Sequence, residues 1–168
     1  MSTSAATATP ARAQFTAAIA AVAAAIGDRP LDADLAKWLD ATYPASGETF
    51  RSIAALIETG DAEGWICPRE TSGIRWGRVI EAGREAGRFS VDVVHMESCR
   101  GPHHAHPEGE IGMIMPVVAE PNFDGFPEGW YVYGPGTAHH PTVTDGSAYV
   151  LYLLPKDRKS TRLNSSHS

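Results

Sequence analysis

After Gly60 the chain becomes a succession of short β-prone runs separated by clusters of glycine and proline. Such clusters end strands and form turns, and no long helical pattern lies between the runs. Short strands at this spacing favour an antiparallel sandwich or barrel. We predict strands over residues 64–67, 74–80, 89–96, 111–118, 129–133 and 148–154.

Three helical segments precede the strands. Each has apolar residues three or four positions apart, the spacing that places them on one face of a helix. The three stripes are Phe15, Ile19, Val22 and Ile26; Leu31, Leu35 and Leu39; and Phe50, Ile53 and Ile57. Residues 15–26 could also be read as the apolar part of a signal peptide, but the stripe favours a helix. Asp32 and Asp34 favour the start of the second helix, and we expect Ser46 to cap the third and Gly60 to end it.

These patterns predict a mainly β protein with N-terminal helices. Residues 1–60 form a helical segment that packs on a β-barrel formed by residues 61–155. Residues 156–168 have neither helical nor strand periodicity. We therefore expect a disordered tail there, and we favour a non-native origin for it over a natural terminus.

Composition and charge exclude several classes of function. The formal net charge is −6, and no basic stripe is present that could bind a nucleic acid. No apolar run approaches the roughly 20 residues that a membrane-spanning helix needs. The two cysteines, Cys67 and Cys99, are too few for a disulfide framework. We expect a cytoplasmic protein that binds neither nucleic acid nor membrane.

Histidine and glutamate residues are spaced as metal ligands. His104 and His106 lie two residues apart, which places both imidazoles on one face of a strand. Glu110 follows at the next turn, and His139 comes from a later Gly-Pro-Gly segment. Three imidazoles and one carboxylate suit a divalent transition metal and leave coordination positions open. Iron, manganese, zinc, nickel and copper all fit this donor set.

The same spacing resembles the two motifs of the cupin superfamily, whose fold is a jelly-roll β-barrel. Two residues separate Gly101 from His104, where the usual cupin pattern has five, and no glycine follows Glu110 at the usual position. The resemblance implies a cupin-like antiparallel barrel, with His104, His106, Glu110 and His139 as metal ligands. It also implies that the chain pairs as a homodimer.

A more particular resemblance covers about ninety residues. The segments WICPRE, GIRWGRVI, FSVDVV, GPHHAHPEGEI, FDG, GWYVYGPG, HHPTV and LYLLP resemble the 4-hydroxylaminobenzoate lyase family of bacterial nitrobenzoate degradation. That family continues past the last segment into a further strand, whereas this chain leaves the pattern at Lys156. The resemblance implies metal-dependent conversion of 4-hydroxylaminobenzoate and water into 3,4-dihydroxybenzoate (protocatechuate) and ammonia.

A substrate of this kind, a small aromatic acid, needs a cation for its carboxylate. We expect it to be bound by Arg69, Arg75 or Arg78. Arg75 and Arg78 face opposite sides of a regular strand, so only one of the two points inward. Tyr133 is a candidate for stacking on the aromatic ring. His103 and His140, each next to a proposed ligand, are candidates for acid–base roles or for supporting a ligand.

Two other functions remain open at this point. A cupin dioxygenase that cleaves a dihydroxylated aromatic ring with iron would use the same ligands. A non-catalytic cupin that binds a small acid, or that holds a metal for stability, would also fit, because one fold hosts many functions. Oxygen uptake distinguishes the dioxygenase, and the absence of turnover distinguishes the binding protein.

Overall fold

The computed structural model describes residues 9–156, in which three helices precede eight strands. The elements are α1 Pro10–Ile26, α2 Ala33–Thr42, α3 Glu48–Glu63, β1 Arg69–Thr71, β2 Ile74–Ile80, β3 Phe89–Glu97, β4 His104–His106, β5 Glu110–Phe123, β6 Gly129–Tyr133, β7 Thr137–His139 and β8 Val143–Pro155. This order confirms the predicted mainly β fold with N-terminal helices. The tail predicted at residues 156–168 lies outside the described residues from position 157 onward.

The three predicted helical stripes are all buried. Asp32 caps α2 by accepting a hydrogen bond from the Leu35 amide at 2.9 Å. The two predicted boundaries of α3 are wrong. Gly47, not Ser46, occupies the N-cap, and the helix continues past Gly60 to a left-handed Gly64. Gly60 instead allows close packing against the Ile66 side chain, which would lie 2.5 Å from a Cβ at position 60.

The strands form two antiparallel sheets. The larger has the order β1-β2-β3-β8-β5-β6, and β4 pairs with β7 in a two-stranded sheet. The predicted strand at 64–67 is wrong, because Gly64 and Cys67 have positive φ angles that break an extended run. The short β4 and β7 lie within segments that their glycines and prolines mark as turns.

The central strand β8 separates two apolar clusters. Tyr149, Leu151 and Leu153 face the helices, whereas the alternate residues Val150 and Tyr152 face the opposite side. This second cluster, which we call the inner cluster, comprises Met96, Ile114, Phe123, Tyr131, Val143, Ala148, Val150 and Tyr152. The proposed metal ligands lie beside it, so burial of the inner cluster also desolvates them.

Polar contacts attach the helices to the outer face of the large sheet. The Asp40 carboxylate accepts the Trp130 amide at 3.1 Å, and the Trp130 indole donates to the Tyr43 carbonyl at 2.8 Å. Asp61 of α3 accepts two hydrogen bonds of 2.7 Å from Arg75 and one from the Tyr149 hydroxyl. No helix within residues 9–156 is long and apolar enough to cross a membrane.

Candidate metal centre

The two-stranded sheet presents three histidines on one face. His104 and His106 flank Ala105 on β4, and His104 lies directly opposite His139 on β7. Because side chains alternate along a strand, His104 and His106 point to the same side. The His104 ring centroid lies 5.1 Å from that of His106 and 5.7 Å from that of His139. Local pairing of two short strands therefore gathers the three imidazoles.

Glu110 reaches the same point from the start of β5. Its Oε1 atom lies 3.6 Å from His104 Nδ1 and 3.8 Å from His106 Nε2, and its Oε2 atom lies 4.0 Å from His139 Nε2. One ligand atom from each of the four residues lies within 4.8 Å of the others. The structure thus brings together all four residues predicted as ligands.

Three atoms at the centre of this cluster have no hydrogen-bond partner among residues 9–156. They are His106 Nε2, Glu110 Oε1 and His139 Nε2, and all three are buried. A buried polar atom without a partner costs about 1–3 kcal/mol, so native proteins rarely leave several together. Imidazole nitrogen and carboxylate oxygen are ligands for divalent transition metals. The donor set therefore fits a metal ion.

The remaining polar atoms of the same three residues are each hydrogen-bonded. His106 Nδ1 lies 2.6 Å from the Thr137 hydroxyl, whose own hydrogen goes to the Gly134 carbonyl. Thr137 therefore accepts, so His106 carries its proton on Nδ1 and keeps a lone pair on Nε2. His139 Nδ1 lies 2.5 Å from the Asp124 carboxylate, which can only accept a hydrogen bond. His139 therefore also carries its proton on Nδ1 and keeps a lone pair on Nε2.

Glu110 is held by a tyrosine. The Tyr131 hydroxyl donates to Glu110 Oε2 at 2.5 Å, and both side chains are buried. Sequence reasoning missed Thr137, Asp124 and Tyr131 in these roles. Thr137 could be found only from its register opposite His106, and Asp124 lies in the FDG segment without a spacing signal of its own.

Burial disfavours charge at Glu110, His106 and His104. It raises the pKa of Glu110 to about 8, against the opposing effect of the Tyr131 hydrogen bond. Burial also lowers the pKa of His106 to about 4, with a further lowering by His139. The pKa of His104 is lowered by the same desolvation. Histidines kept neutral in this way retain the lone pair that a metal ligand needs.

An open cavity of about 1260 Å³ leads to the cluster at His104. Of the four proposed ligands, His104 lines this cavity, and Tyr152, Trp76 and Met96 contribute to its wall. His103 and His140 also lie in this wall with ring centroids 5.4 Å apart. His140 Nδ1 lies 3.3 Å from the Gly101 carbonyl and therefore donates to it. Access to the cluster is from the His104 side.

Three arginines line the cavity, and two of them were predicted to bind substrate. Arg78 pairs with Asp92 at 2.7 Å and lies 3.6 Å from Glu81. Arg69 lies 5.4 Å from the Trp76 ring centroid. Arg100, which sequence reasoning missed, precedes β4. Within residues 9–156, neither Arg69 nor Arg100 forms an ion pair.

Two other predicted substrate-binding residues lie elsewhere. Arg75 points to the helix side of the sheet, where both of its terminal nitrogens bind the Asp61 carboxylate. The Tyr133 ring stacks on His106 with centroids 5.3 Å apart, and its hydroxyl donates to Asp124. The structure brings neither side chain to the cavity wall. Tyr133 packs on a proposed metal ligand instead.

Antiparallel sheets that bring a His-x-His pair, a glutamate four residues later and a histidine from a later strand to one point define a cupin-like protein. A family model described as 4-hydroxylaminobenzoate lyase matches residues 17–160. The chain belongs to the 4-hydroxylaminobenzoate lyase family. This confirms the family resemblance found in the sequence.

Relatives and solved structures give further similarities. A 4-hydroxylaminobenzoate lyase of Pseudomonas putida is 33% identical over 156 residues, covering 82% of this chain and 88% of the relative. One from Nocardioides sp. is 34% identical over 143 residues, covering 79% and 84%. An RmlC-like cupin from Shewanella frigidimarina matches with a TM-score of 0.39 at 12% identity, over 54% of this chain and 84% of that one. The DMSP lyase DddQ from Ruegeria pomeroyi matches with a TM-score of 0.38 at 20% identity, over 84% and 73%.

Proposed function

We propose that this chain is a metal-dependent lyase that converts 4-hydroxylaminobenzoate and water into 3,4-dihydroxybenzoate and ammonia. Membership of the family supports the substrate and the reaction. The observation that carries the metal dependence is the set of three buried, unpartnered donor atoms at His106, Glu110 and His139. The reaction is redox-neutral. The N–O bond and the ring C–N bond both break, nitrogen leaves as ammonia, and two neighbouring ring carbons gain a hydroxyl, with one net oxygen from water and one from the hydroxylamine. The two-electron reduction of nitrogen offsets the two-electron oxidation of the ring carbon that loses its hydrogen.

In this proposal His104, His106, Glu110 and His139 hold one divalent ion. When bound, such an ion supplies Lewis-acid polarisation of an oxygen ligand and lowers the pKa of water. The chain contributes the geometry, because Thr137 and Asp124 fix the imidazole tautomers that keep Nε2 available. Buried members of the inner cluster, Phe123 and Tyr131 among them, lie against His139 and Glu110 and exclude water there, which strengthens electrostatic interactions at the proposed ligands.

The cavity wall contains arginines that could bind the carboxylate of the substrate. Arg78 is already neutralised by Asp92, so we assign carboxylate binding to Arg69 and Arg100. A guanidinium binds a carboxylate through two parallel hydrogen bonds, a geometry that lysine does not offer. Trp76 lies in the same wall and offers an apolar face to an aromatic ring. The substrate would thus lie between an arginine at the rim and His104 at the base.

The test is incubation of the purified protein with 4-hydroxylaminobenzoate under anaerobic conditions, with and without a chelator. We expect ammonia and 3,4-dihydroxybenzoate in equal amounts, loss of both after chelation, and recovery with one of the five candidate metals. Turnover that survives complete metal removal would contradict the metal dependence. Oxygen uptake with a dihydroxylated aromatic acid would favour the dioxygenase, and metal binding without any turnover would favour the binding protein.

A matched pair of variants separates the centre from its surroundings. Glu110→Gln keeps the shape of a proposed ligand but removes its charge, and we expect loss of turnover. Glu108→Gln makes the same change two residues earlier, at a side chain outside the cluster. We expect this control to retain activity. Equal activity of both variants would exclude Glu110 as a ligand.

A further inference from the structure

The two oxygens of Glu110 have different environments. Oε2 accepts the Tyr131 hydroxyl at 2.5 Å, whereas Oε1 has no hydrogen-bond partner among residues 9–156. We propose that Tyr131 is a positioning residue that restricts Glu110 to one metal-facing oxygen, and that glycine at position 112 makes the room for it. This inference rests on the proposed function, because it takes the cluster to be a metal centre.

The direction of the hydrogen bond follows from the donors present. The Tyr131 side chain is 1% exposed, and its hydroxyl lies against Glu110 Oε2. A carboxylate oxygen accepts hydrogen bonds, so the hydroxyl donates its proton to Glu110. This bond occupies one lone pair of Oε2, so we infer that Oε2 is the weaker metal ligand of the two oxygens. Oε1, which faces His104 and His106, remains available.

Gly112 explains how a tyrosine ring reaches this position. Gly112 lies on β5 directly opposite Tyr131 on β6. A Cβ at position 112 would overlap the Cε2, Cζ and hydroxyl atoms of Tyr131. The ring therefore lies over the glycine, and its hydroxyl reaches Glu110, which lies two residues before Gly112 on β5. Any side chain at position 112 would displace the ring from Glu110.

Aromatic neighbours hold the ring in this orientation. Phe123 stacks on Tyr131 with centroids 5.2 Å apart and planes 24° apart. Phe126 stacks on it at 5.5 Å and 14°. Both phenyl groups limit rotation of the tyrosine about its side-chain bonds. The hydroxyl is thus placed before any ligand binds, and this is the property expected of a group that orients a metal ligand.

The consequence concerns the number of open positions. If the glutamate binds through one oxygen, the glutamate and the three imidazoles together supply four donor atoms. A glutamate that binds through both oxygens would occupy one position more, at the expense of water or substrate. Catalytic centres differ from structural ones by keeping a position open. Tyr131 would therefore maintain the open character of this centre.

The test compares Tyr131→Phe with Tyr149→Phe, using Co²⁺ as the probe metal. Both substitutions remove one hydroxyl that donates to a carboxylate, but Tyr149 donates to Asp61 on the helix side of the sheet. For Tyr131→Phe we expect affinity for Co²⁺ to fall by about 10- to 100-fold, the usual effect of losing such a partner. We also expect its visible absorption to weaken, since Co²⁺ absorbs less as its coordination number rises. Tyr149→Phe should keep the wild-type affinity and spectrum.

Several results decide the matter. Unchanged Co²⁺ affinity and spectrum in Tyr131→Phe would overturn the inference, even if thermal stability falls as it does in Tyr149→Phe. A spectral change in Tyr131→Phe alone would support it. Both readouts are made without substrate, so the inference survives if the wild-type protein binds Co²⁺ tightly but shows no lyase activity. If the wild-type protein binds no Co²⁺, the metal dependence and this inference are both refuted.

Discussion

Asp124→Asn should weaken metal binding without changing the size or shape of the side chain. Asp124 Oδ2 accepts from His139 Nδ1 at 2.5 Å and from the Tyr133 hydroxyl at 2.7 Å, while Oδ1 accepts from the Thr142 amide at 2.9 Å. In asparagine one of these oxygens becomes an NH₂ group, which only donates. The variant must therefore lose one of the interactions that the carboxylate makes.

The two orientations of the new amide both disturb the site. If its oxygen stays on the Thr142 amide, the NH₂ group faces His139 Nδ1, and His139 must move its proton to Nε2. That tautomer has no lone pair for a metal. If the amide flips, the partly buried Thr142 amide loses its acceptor. A hydrogen bond to a charged group contributes about 1.5–3 kcal/mol, which corresponds to a loss of roughly 10- to 150-fold in affinity.

The measurement is competition for Co²⁺ against a chromophoric chelator at fixed pH. Asp61→Asn is the matched control, because Asp61 also accepts a tyrosine hydroxyl but lies on the helix side of the sheet. We expect a wild-type affinity in the control and a weakened one in Asp124→Asn. Equal affinities in the wild type and Asp124→Asn would refute the assignment of the His139 tautomer, and so would equal losses in both variants.

Three further predictions follow from the same contacts. Arg69→Met and Arg100→Met should each raise KM for 4-hydroxylaminobenzoate by about 10- to 100-fold with little change in kcat, whereas the exposed Arg51→Met should not; an unchanged KM in both would remove them from carboxylate binding. Asp61→Asn should destabilise the fold by about 2 kcal/mol at pH 7. Arg75 holds the pKa of Asp61 in the folded protein below its usual value. The stabilisation by the Asp61 carboxylate should therefore be complete above the pKa that Asp61 has in the unfolded chain. Calorimetry should show it lost as the pH falls through the pKa that Asp61 has in the folded protein. Burial raises the pKa of the Cys67 thiol to about 12, so iodoacetamide at pH 8 should label Cys99 alone, and a second adduct on the folded protein would contradict this.

The helices and most strands could be predicted because their signals are local. Phe15, Ile19 and Val22 recur at helical spacing and are buried. Phe89, Val91 and Val93 occupy every second position of β3 and share one buried face. The predicted strand at 64–67 failed because β-prone residues there are interrupted by two positive φ angles, one of them at a cysteine. Residue preference alone does not reveal such a backbone.

The clustering of the proposed ligands could also be predicted, since His104, His106 and Glu110 lie close together in sequence. Their partners could not, because Thr137, Asp124 and Tyr131 come from separate segments and meet the ligands only through strand register. The arginines show the same limit. Alternation predicts that Arg75 and Arg78 face opposite sides, but the outward direction of Arg75 depends on Asp61, a residue of α3. The sequence pattern thus predicts which side chains share a face of the strand, but contacts with other elements determine whether that face points to the helices or to the cavity.

The unequal hydrogen bonding of the four proposed ligands bears on how the proposed substrate would enter. His106, Glu110 and His139 are each held by one side-chain hydrogen bond, whereas His104 is the half-buried proposed ligand that lines the cavity. A substrate must therefore approach past His104. In 4-hydroxylaminobenzoate the carboxylate and the nitrogen lie at opposite ends of the ring, so under the proposed function a cation that binds the carboxylate must lie away from the proposed metal centre. Arg69 and Arg100 are exposed residues in the wall of this same cavity, and they meet that requirement without competing for the ligands.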